Sequence, residues 1–145
     1  MIKLNNYIVE AWNGVKKQAS IDTEAIEAWC DEMNIKNYTI NSQGEIDVDG
    51  SVSFVDRNIK ELPYKFGKIN GWFDIDYCEN LISLNNCPNK VGGGFSCRYC
   101  KELDSLEGCP KEVGGNFWCR NCKRKFTVDE VMSLCKVKGT SHIRI

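Results

Sequence analysis

Two pairs of cysteines have the spacing of zinc ligands. Cys97 and Cys100 form one C-x2-C pair, and Cys119 and Cys122 form a second pair after 18 intervening residues. This spacing is typical of zinc ribbons, in which four thiolates hold one Zn²⁺ ion. A zinc-ribbon-like adaptor is therefore one hypothesis for this chain.

A competing hypothesis explains the same cysteines by packing. The position of Cys97 and Cys119 is held by Ile75 in the preceding copy of a 22-residue repeat. A position that accepts Ile is apolar, and a buried Cys behaves as a small hydrophobe. Cysteines outside this set of four recur at the same period: Cys78 aligns with Cys100 and Cys122, and Cys87 aligns with Cys109. We therefore favour cysteines in the core, with no metal and no other cofactor.

The repeat extends from Ile69 to about Cys122 and has a period in the range of leucine-rich repeats. Two full copies have an apolar-x-apolar-x-x-Cys segment, then Leu-x-x-Leu, then Cys-Pro and a glycine cluster, and a third copy begins at Val113 and departs from the pattern after Cys122. Alternate residues of a short strand face one side, so the apolar anchors are predicted to point inward. The glycine clusters, such as Gly92–Gly94, are predicted to form the bend into the next strand.

The residues between the anchors are predicted to point outward in columns. Arginine and aromatic residues are enriched among the hot spots of protein interfaces, and these columns contain both. Trp118 is exposed in this interpretation unless the C-terminal residues cover it, and both alternatives stay open. The predicted binding residues are Asp76, Tyr77, Ser96, Arg98, Tyr99, Trp118, Arg120 and Asn121.

Helices are predicted on both sides of the repeats. Residues 5–18 place Ile8, Ala11, Trp12 and Val15 at helical spacing, although Asn13-Gly14 weakens the middle. A second helix has Asp22 or Thr23 as its N-cap and an apolar stripe of Ile26, Trp29, Cys30 and Met33. After the repeats, Thr127 and Glu130 form a capping box before a short amphipathic helix, and residues 142–145 resemble a terminal strand.

The predicted fold class is α+β. It is a short leucine-rich-repeat-like solenoid of three to four repeats of 21–22 residues, with an N-terminal helical cap and a C-terminal cap of helix and strand. Residues 1–48 are assigned to the N-terminal cap and lead-in strand, residues 49–126 to the repeats, and residues 127–145 to the C-terminal cap. The 145 residues fit one compact domain.

Composition and charge exclude several classes of protein. Apolar content is ordinary, and no stretch is long enough to span a bilayer or to form the core of a signal peptide. Residues 1–85 contain 8 Lys/Arg and 14 Asp/Glu, whereas residues 86–145 contain 11 and 6. The single histidine, His142, has no nucleophile pattern near it, and the glycine clusters lack the Gly-Lys-Ser/Thr of a phosphate-binding loop. We therefore expect no enzymatic activity.

The motif Leu-x-Ser-Leu-(Glu/Asn)-(Gly/Asn)-Cys-Pro-x-(Glu/Lys)-Val-Gly-Gly resembles short leucine-rich-repeat-like proteins of bacteriophages. The segments Ile46–Gly50 and Leu62–Gly67 are similar to the part that introduces those repeats, so the resemblance covers about residues 35–140. It implies a phage protein in the cytoplasm of the infected cell. It implies no particular activity.

These observations predict a non-enzymatic, monomeric protein-binding module with no membrane association. The resemblance adds the expectation of a phage factor that binds and inhibits or modulates a host protein, such as a defence component. Nucleic-acid binding is the main alternative, with Trp118 and Tyr99 stacking on bases. Its phosphate contacts would come from the basic residues Arg98, Arg120, Lys123, Arg124, Lys125, Lys136 and Lys138.

Overall fold

The computed structural model describes residues 10–12, 15–17 and 20–145. Strands β1 (Glu10–Trp12) and β2 (Val15–Lys17) pair antiparallel in a small two-stranded sheet. The helix predicted over residues 5–18 is therefore wrong in its described part. An Asn-Gly dipeptide at 13–14 favours a two-residue hairpin turn and disfavours a helix interior, so the local signal for strands outweighs the apolar spacing. Ile8 lies outside the described residues.

The second predicted helix is present as α1 (Thr23–Glu32). The side chain of Asp22 accepts a hydrogen bond from the backbone N–H of Ala25 at 3.1 Å and so caps the first turn. Ile26 and Cys30 are fully buried on its inner face. This helix covers one end of the core.

Two larger sheets make up most of the fold. The strands of the six-stranded sheet are, in pairing order, β12 (Lys136–Val137), β10 (Glu112–Val113), β8 (Lys90–Val91), β6 (Phe66–Ile69), β4 (Ile46–Val48) and β3 (Tyr38–Ile40). The strands of the five-stranded sheet are β13 (Ile143–Arg144), β11 (Phe117–Trp118), β9 (Phe95–Ser96), β7 (Phe73–Asp74) and β5 (Val52–Ser53). All neighbours in these two sheets are parallel except β3 and β4.

The predicted leucine-rich-repeat solenoid with helical caps is wrong. The fold is mixed α/β, and its described part contains two sheets of six and five mostly parallel strands and two α-helices. A leucine-rich repeat supplies one strand to one sheet, whereas 22 residues of this chain supply two strands, such as β8 to one sheet and β9 to the other. Lys90–Val91, which directly precedes the glycine cluster, forms the second strand of this turn.

Aromatic side chains fill the space between the sheets. Phe73, Phe95 and Phe117 occupy equivalent register positions on β7, β9 and β11 and are fully buried. The rings of Phe73 and Phe95 are stacked at 6.2 Å, and those of Phe95 and Phe117 lie 5.0 Å apart. These anchors are buried inside the fold, as predicted, and each ring packs against the ring at the equivalent position of the neighbouring turn.

Helix α2 (Val128–Leu134) follows the last of the cysteine-rich turns. Thr127 caps it as predicted, since its side chain accepts from the N–H of Glu130 at 3.1 Å. A 3₁₀ turn, Thr140–His142, leads into β13. Neither helix of the described chain has the length and apolar composition that crossing a bilayer requires. The division into residues 1–48, 49–126 and 127–145 stays a prediction.

Candidate functional site

The cysteines belong to the core. Eight of the nine are buried, and Cys122 is half-buried. The prediction of a cysteine-rich core is therefore confirmed for those eight. Within residues 20–145, where all the cysteines lie, no three His, Cys, Asp or Glu side chains are grouped so that they could hold a metal ion. The four cysteines of the zinc hypothesis, Cys97, Cys100, Cys119 and Cys122, thus do not meet as a ligand set.

One column of cysteines has a defined structural role. Each thiol donates to a backbone carbonyl oxygen of the preceding turn of the chain: Cys78 Sγ to Phe54 O at 3.0 Å, Cys100 Sγ to Ile75 O at 3.3 Å, and Cys122 Sγ to Cys97 O at 3.2 Å. Burial raises the pKa of Cys78 to about 11. These bonds require protonated thiols and tie each cysteine to the backbone of the preceding turn.

Arg98 is the centre of the candidate binding surface. Its guanidinium donates to Asp76 Oδ2 from Nε at 2.8 Å and from Nη2 at 2.5 Å, and its backbone N–H donates to Asp76 Oδ1 at 2.7 Å. The hydroxyl of Ser96 donates to the same Oδ1 at 2.5 Å. Hydrogen bonds to charged groups are about twice as strong as neutral ones. The arginine is consequently held in one orientation before any partner arrives.

Asp76 and Ser96 lie beneath Arg98. Their exposed fractions are 1% and 3%, so neither of these two predicted binding residues is available for contact. Both still affect the surface: Asp76 fixes the position of Arg98, and Ser96 fixes the position of the Asp76 carboxylate. Asp74, half-buried beside them, accepts from the backbone N–H of Asp76 at 2.9 Å, and its burial raises the pKa of its carboxyl.

Trp118 packs against the preceding turn of the chain. The Arg98 guanidinium carbon lies 5.5 Å from the centroid of its ring, which is a cation–π contact. A Cβ atom added at Gly94 would lie 3.3 Å from the Trp118 ring, so the glycine makes room for the indole. Trp118 as a whole is half-buried.

Tyr77 and Tyr99 form a stacked pair next to Arg98. Their ring centroids are 4.6 Å apart and their planes differ by 5°. Both residues have φ of 59°, in the left-handed region that bulky side chains rarely adopt. Asn121 occupies the equivalent place in the next turn, with φ of 57°. The backbone therefore directs this column of side chains outward at a fixed angle.

Arg120 and Asn121 are exposed, and they lie at the edge of a groove of about 520 Å³. The other basic residues along this groove are Lys123, Arg124 and Lys125. Of the eight predicted binding residues, six are accessible. We call five of them, Tyr77, Arg98, Tyr99, Trp118 and Arg120, the Arg98 face, and the sixth, Asn121, lies in the adjoining groove.

Two features were not predicted from sequence. Trp72 is 47% exposed and immediately precedes β7, in the same register column as Gly94. It was missed because its column contains no other aromatic residue. A groove of about 860 Å³ is lined in part by Lys65, whose half-buried ammonium donates to the carbonyl oxygen of Cys87. Burial lowers the pKa of Lys65.

Comparison of the chain with protein-family models, with curated protein sequences and with solved structures finds no match. The resemblance to short repeat proteins of bacteriophages, the cytoplasmic location and the viral origin it implies therefore stay predictions.

Proposed function

We propose that this protein is a non-enzymatic binding module that contacts another protein through the Arg98 face. The observation that carries the proposal is the arrangement of Arg98, which is bound on one side by the buried carboxylate of Asp76 and stacked on the other against Trp118. Arginine and tryptophan fixed in this manner lose little side-chain entropy on binding.

The chemistry of the face indicates the chemistry of the partner. The stacked rings of Tyr77 and Tyr99 provide a flat apolar surface that can bury area at low entropic cost. Arg120 adds a positive charge for which the described residues contain no ion-pair partner. A partner with an apolar or aromatic centre and a carboxylate near Arg120 fits this surface.

Nucleic-acid binding has less support. Three of the seven basic residues on which that alternative depends are engaged by acids: Arg98 with Asp76 at 2.5 Å, Lys123 with Glu102 at 3.8 Å, and Arg124 with Glu130 at 2.7 Å. Neutralised side chains release fewer phosphate counterions, which reduces the main contribution to affinity for nucleic acid.

The test is affinity capture from a bacterial lysate, the source that the sequence resemblance implies, followed by affinity measurement with the purified partner. An Arg98→Ala/Trp118→Ala variant should bind at least about 30-fold more weakly, since hot-spot truncations cost about 2 kcal/mol or more. The matched control is Lys68→Ala/Lys90→Ala, which changes two exposed residues of the six-stranded sheet. Equal affinity of the Arg98 variant and the wild type would refute the proposal, as would a partner lost equally by both double variants.

A further inference from the structure

The charge asymmetry of the sequence corresponds to the two ends of the fold. The five-stranded sheet ends at β13 on one side and at β5 on the other, and the six-stranded sheet ends at β12 on the same side as β13. Helix α1 lies at the β5 end, because the ring of Trp29 is 5.7 Å from that of Phe54, which directly follows β5. Helix α1 and strands β12 and β13 are therefore at opposite ends of the paired sheets.

The outer surface of α1 is acidic. Residues 20–35 contain five Asp/Glu and no Lys/Arg. All five acids are exposed, and none has an ion-pair partner within residues 20–145. We call this surface the α1 face and define it as Asp22, Glu24, Glu27, Asp31 and Glu32. Its negative charge is not neutralised by the described part of the chain.

The opposite end of the sheets is basic. Residues 131–145 contain three Lys/Arg and no Asp/Glu. Lys136 on β12, Lys138 directly after it and Arg144 on β13 are exposed, and they too have no ion-pair partner within residues 20–145. We call these three residues the basic end. Surfaces of opposite charge steer two molecules into one relative orientation.

The backbone at the basic end is already hydrogen-bonded. The N–H of Ile143 donates to the carbonyl oxygen of Thr140. Arg144 Nη1 donates to the carbonyl oxygens of Ser141 at 2.5 Å and Ile143 at 3.2 Å, while the Arg144 carbonyl accepts from β11. A lysine, Lys136, lies on the other edge strand, and charged residues on edge strands oppose the addition of a further strand. A partner at this end is therefore contacted by side chains.

We propose that copies of this chain associate head to tail, with the basic end of one copy docked on the α1 face of the next. The two surfaces are opposite ends of the same pair of sheets, so they match in cross-section as well as in charge. The contact joins two different surfaces, so it does not close at a dimer and chains of copies grow. This differs from the monomer expected from sequence, and it does not depend on the Arg98 face.

The attraction is electrostatic. The large hydrophobic residues that the described chain exposes all lie outside α1 and outside residues 136–145. Sedimentation velocity at about pH 8 should therefore show species larger than a dimer in about 0.01 M NaCl, where the screening length is about 30 Å. In about 1 M NaCl, where it is about 3 Å, the protein should sediment as a monomer at every concentration.

Two variants each remove one surface. Asp31→Lys/Glu32→Lys changes the α1 face in the last helical turn, where cations interact favourably with the helix dipole. Lys136→Gln/Lys138→Glu changes the basic end. Each variant alone should be monomeric at low salt. An equimolar mixture should form dimers and nothing larger, because each chain retains one intact surface.

The matched control is Lys68→Gln/Lys111→Glu, which makes the same change in net charge at exposed residues on β6 and directly before β10. It should associate like the wild type. A wild type that stays monomeric at low salt, a control variant that loses association, or a mixture that forms no dimer would overturn the proposal. The wild-type measurement needs no substitution, so it decides the question even where a variant folds poorly.

Discussion

Replacement of Asp76 by alanine should lower the free energy of unfolding by more than the loss of an exposed surface ion pair would. The substitution removes the acceptor of four hydrogen bonds, one from the Ser96 hydroxyl and three from the backbone and guanidinium of Arg98. The Asp76 side chain is 1% exposed and that of Arg98 is 31% exposed. After the substitution, water can therefore solvate part of the Arg98 guanidinium. It cannot replace Asp76 as the acceptor for the buried Ser96 hydroxyl and the Arg98 backbone N–H.

The magnitude follows from this geometry. Removal of one partner of a buried ion pair costs about 3–5 kcal/mol, and partial rehydration of Arg98 places the expected cost of Asp76→Ala at about 3 kcal/mol. With a urea dependence of about 2 kcal/mol per M, the unfolding midpoint should fall by about 1.5 M. In an Arg98→Ala background the cost of Asp76→Ala should be smaller by about 1–2 kcal/mol, because the pair is already broken.

Urea unfolding followed by tryptophan fluorescence measures both quantities. The matched control is Asp104→Ala, since Asp104 contacts Arg124 at 3.7 Å with side-chain exposures of 63% and 43%. Exposed pairs contribute about 0–1 kcal/mol, so the control midpoint should move by about 0.5 M at most. The reasoning fails if Asp76→Ala moves the midpoint no further than the control, or if its cost is the same with and without the Arg98 side chain.

Two further predictions concern the turns and the acid beside the Arg98 face. Gly114→Ala should lower the melting temperature by about 5 °C or more, because the new Cβ would lie 2.2 Å from the backbone oxygen of Gly92. The control is Gly139→Ala, which should change the melting temperature little because no atom lies within 4 Å of the new Cβ. Similar shifts in the two variants would contradict this prediction. Burial raises the pKa of Asp74 above its ordinary value of 3.8, so its contribution to stability is present at pH below that value and is lost as pH rises through the raised pKa. Asp74→Asn keeps an acceptor oxygen, and its urea midpoint should exceed that of the wild type at neutral pH and match it at about pH 3; a constant difference at both pH values would contradict the assignment.

Local features of the fold could be predicted from sequence where one short signal decides the structure. Asp22 and Thr127 precede apolar helical patterns, and each caps the helix that follows. The comparison of Ile75 with Cys97 predicts an apolar environment, and both side chains are fully buried. In each case the decisive interaction involves residues that are close in sequence or that occupy equivalent positions.

The two-sheet arrangement could not be predicted in this manner. Most strands of the parallel sheets are two residues long, and two residues are too few to show an alternating pattern. The same inward-facing apolar residues are compatible with one strand in each 22-residue repeat and with two. What separates the alternatives is pairing between distant residues, such as Lys68 with Lys90, which no local pattern reports.

Alternation along a strand predicts the direction of a side chain but not what covers it. Ser96 on β9 and Asp76 after β7 were predicted to face outward, but both are buried, and the side chain of Arg98 hydrogen-bonds to them. The candidate site is thus smaller than the set of outward residues. Two of its predicted members act through Arg98.

Asp56, Tyr77, Tyr99 and Asn121 occupy equivalent positions in successive turns of the chain, and all four have positive φ. Each turn needs positive φ at one position, and the outer members of the column, Asp56 and Asn121, are residue types that tolerate it. The middle members, Tyr77 and Tyr99, are bulky residues for which this conformation is unfavourable. Folding would be served as well by asparagine at both places. The stacked rings of Tyr77 and Tyr99 therefore add support to the proposal that binding is located beside Arg98.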